Sequence, residues 1–167
     1  MYQSLNEFYE EWKYEAESTS KMLEALTDES LSQLVSAEDR TLGRIAWHIV
    51  VTIHEMMSHA GLQFDASGEG TGVPKSAQEI ANQYRQASQA MIDAIKEQWN
   101  DATLEESRNM YGDLWKVHTV LNALNKHQIH HRGQMTVLMR QAGIQVPGVY
   151  GPSRNEWEPM GMPIPQL

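Results

Sequence analysis

The 167-residue chain has no cysteine, only two phenylalanines, and a single proline before residue 147. Without cysteine there is no disulfide framework, no thiol nucleophile and no thiolate metal ligand, so any bound metal must rely on His, Asp or Glu. Long apolar runs are also missing. No segment approaches the roughly 18 apolar residues of a membrane span, and the opening Met1-Tyr2-Gln3-Ser4 lacks a basic, signal-like start, so a cytoplasmic location is expected. Basic charge is scarce, with 13 Lys and Arg against 22 Asp and Glu and a net charge of −9. The basic residues are scattered, whereas phosphate binding needs them clustered, so nucleic acid is not expected as a partner. The acidic excess reads as a solvated surface that also concentrates metal cations.

The length suits one domain over residues 1–167 with a sizeable core. Ser4 with Glu7 makes a capping-box start, and Leu5, Phe8, Trp12, Met22, Leu23 and Leu26 follow at helical spacing, predicting a first helix to about Thr27. A second helix follows Thr41 and stops at Gly61. The stretch Ser67-Gly68-Glu69-Gly70-Thr71-Gly72 reads as an exposed loop, since it lacks the lysine and spacing of a phosphate cradle. Pro74 and Ser76 with Glu79 open a third helix with a seam of Ala77, Ile80, Tyr84, Ala87, Met91, Ile95 and Trp99. A fourth is expected from about Gly112 to Ala142, stopped by Gly143. No strand pattern competes. Four amphipathic helices imply an all-α four-helix bundle, and the long Gly61–Pro74 connection suggests one crossover. The Pro-rich tail from Val146 cannot be helical, yet Val149, Tyr150, Trp157, Met160 and Met162 make it apolar enough to pack back on the bundle, capping the core or covering a pocket.

Chemistry concentrates in His127-Gln128-Ile129-His130-His131-Arg132-Gly133-Gln134-Met135. On a helix His127 and His131 lie about 40° apart, one turn along the same face, so both imidazoles can reach one ion. They sit on or beside the line of Val120, Leu124, Met135 and Leu138, whereas His130 points about 100° away. A third ligand must come from elsewhere. Of His48, His54, His59 and His118, His48 is the best placed, at the edge of the stripe Leu42, Ile45, Ile49, Ile53, Met56 and Ala60. His54 and His118 point away from their seams. An HxxxH pair alone is a weak signal, and the plainer reading is of helix-face histidines satisfied by neighbours or water.

The run His127 to Met135, the segment Leu42-Gly43-Arg44-Ile45-Ala46-Trp47-His48 and the tail Val146-Pro147-Gly148-Val149-Tyr150-Gly151-Pro152 resemble the DinB and YfiT-like family of bacterial four-helix proteins, over nearly the whole chain. The resemblance implies a bundle carrying a divalent metal, commonly zinc or nickel, held by one histidine of the second helix and the HxxxH pair of the last. Carried across, these are His48, His127 and His131. It also implies that some relatives transfer a low-molecular-weight thiol such as bacillithiol or mycothiol.

Three neutral imidazoles would leave an ion with an open coordination position, the arrangement of a catalytic rather than a structural site. Glu55 and His59, on the same helix ridge as His48 and Thr52, are candidates for a base or for supporting contacts, although such a ridge is more often solvated. Two function classes follow. One is a metal-dependent thiol transferase or hydrolase acting on a small-molecule substrate, the other a non-catalytic metal-binding stress-response protein. A pocket leading to the metal would separate them. Finally, Leu121, Ile129, Val137 and Met139 on the fourth helix and Trp47, Val50, Val51 and Met57 on the second exceed one seam per helix, which predicts a homodimer, with cover from the tail as the competing explanation.

Overall fold

The computed structural model describes residues 1–68 and 70–166; Glu69 of the expected glycine-rich loop and Leu167 at the end of the expected domain lie outside the described residues. The fold is mostly helical: α1 (Leu5–Glu24), α2 (Leu42–His59), α3 (Ala77–Gln98) and α4 (Val117–Gln141). Each of the first three begins at a hydroxyl cap, because Ser4, Thr41 and Ser76 accept the otherwise unpaired N–H groups of Glu7, Arg44 and Glu79. Both glycine stops act as expected. Gly61 and Gly143 take positive φ (89° and 75°) after α2 and α4, and the following Leu62 and Ile144 donate back to Met57 and Met139, closing Schellman motifs.

The start of the fourth helix is corrected. The segment assigned to the start of the fourth helix is a two-stranded antiparallel hairpin, β1 (Ser107–Met110) with β2 (Asp113–Lys116), and α4 begins only at Val117. The reason is local. Tyr111 and Gly112 both have positive φ (58° and 99°), the signature of a type I′ turn, and Asn109 Oδ1 accepts the Gly112 N–H at 3.0 Å. Four-residue strands of mixed polarity carry no readable alternation. The hairpin is anchored by fully buried Met110 and by Arg108 Nε, which donates to Ala60 O at 2.8 Å and so satisfies a carbonyl at the end of α2.

α2 packs against α3 and α4, and α1 against the same two, so α1 and α2 lie across a diagonal of the bundle. The crossing connections are therefore those between α1 and α2 and between α3 and α4. The long Gly61–Pro74 stretch, expected to cross, instead joins neighbours. Close approach at the first crossing explains Gly43: a Cβ there would stand 3.0 Å from both Cβ and O of Leu31, in a short 3-10 turn (Glu29–Ser32) before α2. Gly133 shows the opposite, since a Cβ there would meet nothing within 4 Å.

The surplus apolar residues that suggested a dimer are largely consumed within one chain. Trp47, Val50, Val51, Met57, Leu121 and Met139 are all buried, Ile129 is half-buried, and only Val137 is well exposed, at 53%. After α4 the described residues form no helix; Val146 is buried, while Met160, Met162 and Ile164 are exposed. No helix among the described residues is long and apolar enough to cross a membrane.

Candidate metal centre

α2 and α4 meet along a seam that is apolar except at one level. Fully buried Gln128 donates from Nε2 to Ile49 O at 3.1 Å, tying α4 to α2 beside the histidines. Buried Arg132 fixes the same helix from its other side: it donates to Glu15 O (3.0 Å), Thr19 Oγ1 (3.1 Å) and Glu15 Oε2 (2.5 Å) of α1. Tyr150 joins this network, its hydroxyl 2.8 Å from Arg132 and from both Glu15 carboxylate oxygens. With α4 held at both neighbours its rotation is set, and His127 and His131 face α2.

There the structure brings together His48, His127 and His131. The Nε2 atom of His127 lies 3.1 Å from Nε2 of His48 and 3.1 Å from Nε2 of His131, and one ring nitrogen from each lies within 4.8 Å of the other two. Nitrogens bound to one tetrahedral zinc at ~2.0–2.1 Å would stand about 3.3 Å apart, so the three rings are close to the spacing a shared ion imposes.

The Nδ1 atoms of His131 and His127 have partners that bear on where each ring carries its hydrogen. His131 Nδ1 lies 2.7 Å from Gln134 Oε1, an acceptor, so Nδ1 holds the hydrogen and Nε2 is a bare lone pair. Thr52 donates its hydroxyl to His48 O at 2.8 Å, which leaves its oxygen free to accept from His127 Nδ1 at 3.5 Å. A hydrogen on His127 Nδ1 would likewise leave its Nε2 bare. In that tautomer the two Nε2 lone pairs, 3.1 Å apart, converge on one point where a cation can accept both, so the donor set fits a metal ion. Burial favours the neutral form: it pushes His48 and His127 down to about 4, helped by their histidine neighbours, and lowers His131 as well. All three rings are then available as ligands at neutral pH.

The remaining sequence candidates stand elsewhere. Glu55 accepts from the Tyr111 hydroxyl at 2.7 Å, and His59 Nδ1 is 2.9 Å from Glu55 O and 3.6 Å from its carboxylate, so this pair faces the hairpin. It lies two to three turns along α2 from His48. His54 packs on Phe64, and His118 lies near Glu105. His130 is exposed, with Gln134 Nε2 at 3.2 Å. Tyr150 belongs to the Arg132 network. Trp157 lines a separate 220 Å³ hollow with Arg154, Ile164 and Pro165. Sequence reasoning missed Gln134 and the Arg132–Glu15 pair. A polar side chain one turn beyond His131 was a usable signal for the first, whereas the second needs the α1–α4 packing.

A groove of about 480 Å³ opens beside the cluster, lined by His131, Gln134 and residues of α2, α4 and the α1–α2 connection.

A four-helix bundle with three histidines converging between its second and fourth helices defines a class of helical proteins able to hold a metal ion. The chain belongs to the DinB family, whose profile matches residues 1–166. It is 49% identical to the uncharacterized protein YrdA of Bacillus subtilis (strain 168) over 167 residues, all of both chains. The crystal structure of a DinB-like protein from Bacillus cereus ATCC 10987 is similar at a TM-score of 0.87 and 48% identity, covering 90% of this chain and 100% of that one. A second DinB-like protein, YjoA of Bacillus subtilis, shares the fold at a TM-score of 0.66 with 15% identity, over 86% of this chain and 97% of that one.

Proposed function

We propose that this protein is a metal-dependent enzyme in which His48, His127 and His131 hold a divalent ion, zinc or nickel, to activate a small thiol cofactor or a water for attack on an electrophilic small molecule. The observation that carries this reading is the groove at His131: it gives a substrate a route to the cluster, which a merely stored or structural ion does not require. An ion held by three neutral imidazoles supplies a Lewis-acidic open position, where a thiol or water loses its proton near neutral pH.

The chain's own residues do the rest. Gln134 and Thr52 hold the His131 and His127 rings with Nε2 directed inward. Gln128 and Arg132 keep α4 from rotating those rings out of line. In a transfer from a thiol R–SH, the proton leaves to solvent, the sulfur lone pair forms the new C–S bond, and the leaving group departs with its electron pair. Glu55 and His59, turned toward the hairpin, are given no part in the reaction. Nor does this reading require a second subunit, because all three ligands come from one chain.

The test is to load untagged protein with zinc or nickel and supply bacillithiol, or water alone, with a reactive electrophile. The expected result is product formation that disappears in His127→Ala. Full metal occupancy with no turnover by any thiol or by water would favour the alternative, a non-catalytic metal-binding stress-response protein.

A further inference from the structure

The groove beside His131 is lined by two kinds of residue. Val35, Ile45, Val137 and Leu138 supply the apolar lining, and Val35 and Val137 are 60% and 53% exposed. Arg40 lines the same groove. Its guanidinium is exposed and has no hydrogen bond or ion pair among the described residues. Asp39, the acidic residue on the same rim, has its carboxylate engaged by Ser36 Oγ at 2.6 Å.

The position of Arg40 is costly for a cation site. Arg40 lines the same groove as His131, so its fixed charge faces the cation site, and like charges repel as 1/r. A guanidinium is also a poor partner for the neighbouring valines. Both disadvantages disappear with an anion in the groove, which faces the guanidinium at one end and a cation at the other.

We infer that the groove binds a small organic carboxylate, its apolar body against Val35, Ile45, Val137 and Leu138 and its anionic head on Arg40, with its reactive group directed at the three-histidine cluster. The inference rests on the metal reading above and narrows it to an anionic, partly apolar ligand.

Cobalt(II)-loaded protein tests this, because a bound thiolate gives a charge-transfer absorption from which affinity is read. The probes are 6-mercaptohexanoate and its uncharged counterpart 6-mercaptohexanamide, identical at the sulfur and in the apolar spacer, which is too long for the head to chelate the same ion. Wild type should bind the carboxylate about fivefold more tightly, as suits one exposed ion pair, and the preference should shrink at high salt. Arg40→Gln should bring the two probes to equal affinity without changing cobalt content. Val137→Asn should weaken both. Equal affinities in wild type, failure of both probes to bind the loaded protein, a preference that survives in Arg40→Gln, or unchanged binding in Val137→Asn would each overturn the inference while cobalt remains stoichiometric. Absence of stoichiometric cobalt would instead overturn the metal reading itself.

Discussion

The side-chain oxygen of Gln134 lies 2.7 Å from Nδ1 of His131, one helical turn away on α4. This contact decides which nitrogen of His131 carries the hydrogen and leaves Nε2 as the ligand atom. Gln134→Leu should therefore lower metal affinity by roughly 10- to 100-fold while the fold persists, since Gln134 is exposed. Competition with a chelator of known affinity measures the change. Unaltered affinity would mean that the amide does not orient the ring.

The Arg132–Glu15 pair is almost fully buried, with side-chain exposures of 3% and 6%. Removing one partner strands the other charge away from water, so Arg132→Met should destabilise the protein by about 3–5 kcal/mol. Tyr150→Phe removes only a hydroxyl at the edge of the network and should cost about 1 kcal/mol. Urea unfolding of the two variants should preserve that order.

Two helical glycines should respond with opposite signs. Gly133→Ala places a methyl in open space and should stabilise α4 by about 0.5–1 kcal/mol. Gly43→Ala drives a Cβ against the Leu31 backbone and should destabilise by about 1–3 kcal/mol. Thermal melts compare them directly. A destabilised Gly133→Ala would show that something packs on that face of α4, as a second subunit would.

Acid should act on the metal-free protein through the cluster. His48 and His127 are held near 4 by burial, against about 6.5 in an unfolded chain. Between those values the unfolded state binds more protons than the folded one, so stability rises with pH. The contribution is complete above about pH 6.5 and is lost as pH falls toward 4. Unfolding free energies at pH 7.5, 5.5 and 4.5 should fall more steeply for wild type than for His127→Ala.

Much of this arrangement is legible in the sequence, for identifiable reasons. Caps at Ser4, Thr41 and Ser76 and stops at Gly61 and Gly143 are local signals read within one turn. The facing of His127 and His131 follows from a four-residue spacing, and His48 from the edge of a long apolar stripe. The hairpin was not legible, because Ser107–Met110 and Asp113–Lys116 are too short and mixed in polarity to show a period of two. Arg40 was also missed. Its role depends on a groove formed by residues from three parts of the chain, and no local pattern encodes that.

The central claim is that His48, His127 and His131 together hold one divalent ion. Elemental analysis of untagged protein, purified without added metal and compared with His127→Ala under the same conditions, tests it most directly. The expected result is about one equivalent of zinc or nickel per wild-type chain and almost none in the variant, with matching helical circular dichroism. Stoichiometric metal in His127→Ala, or a wild-type protein that takes up no divalent ion even when one is supplied, would contradict it.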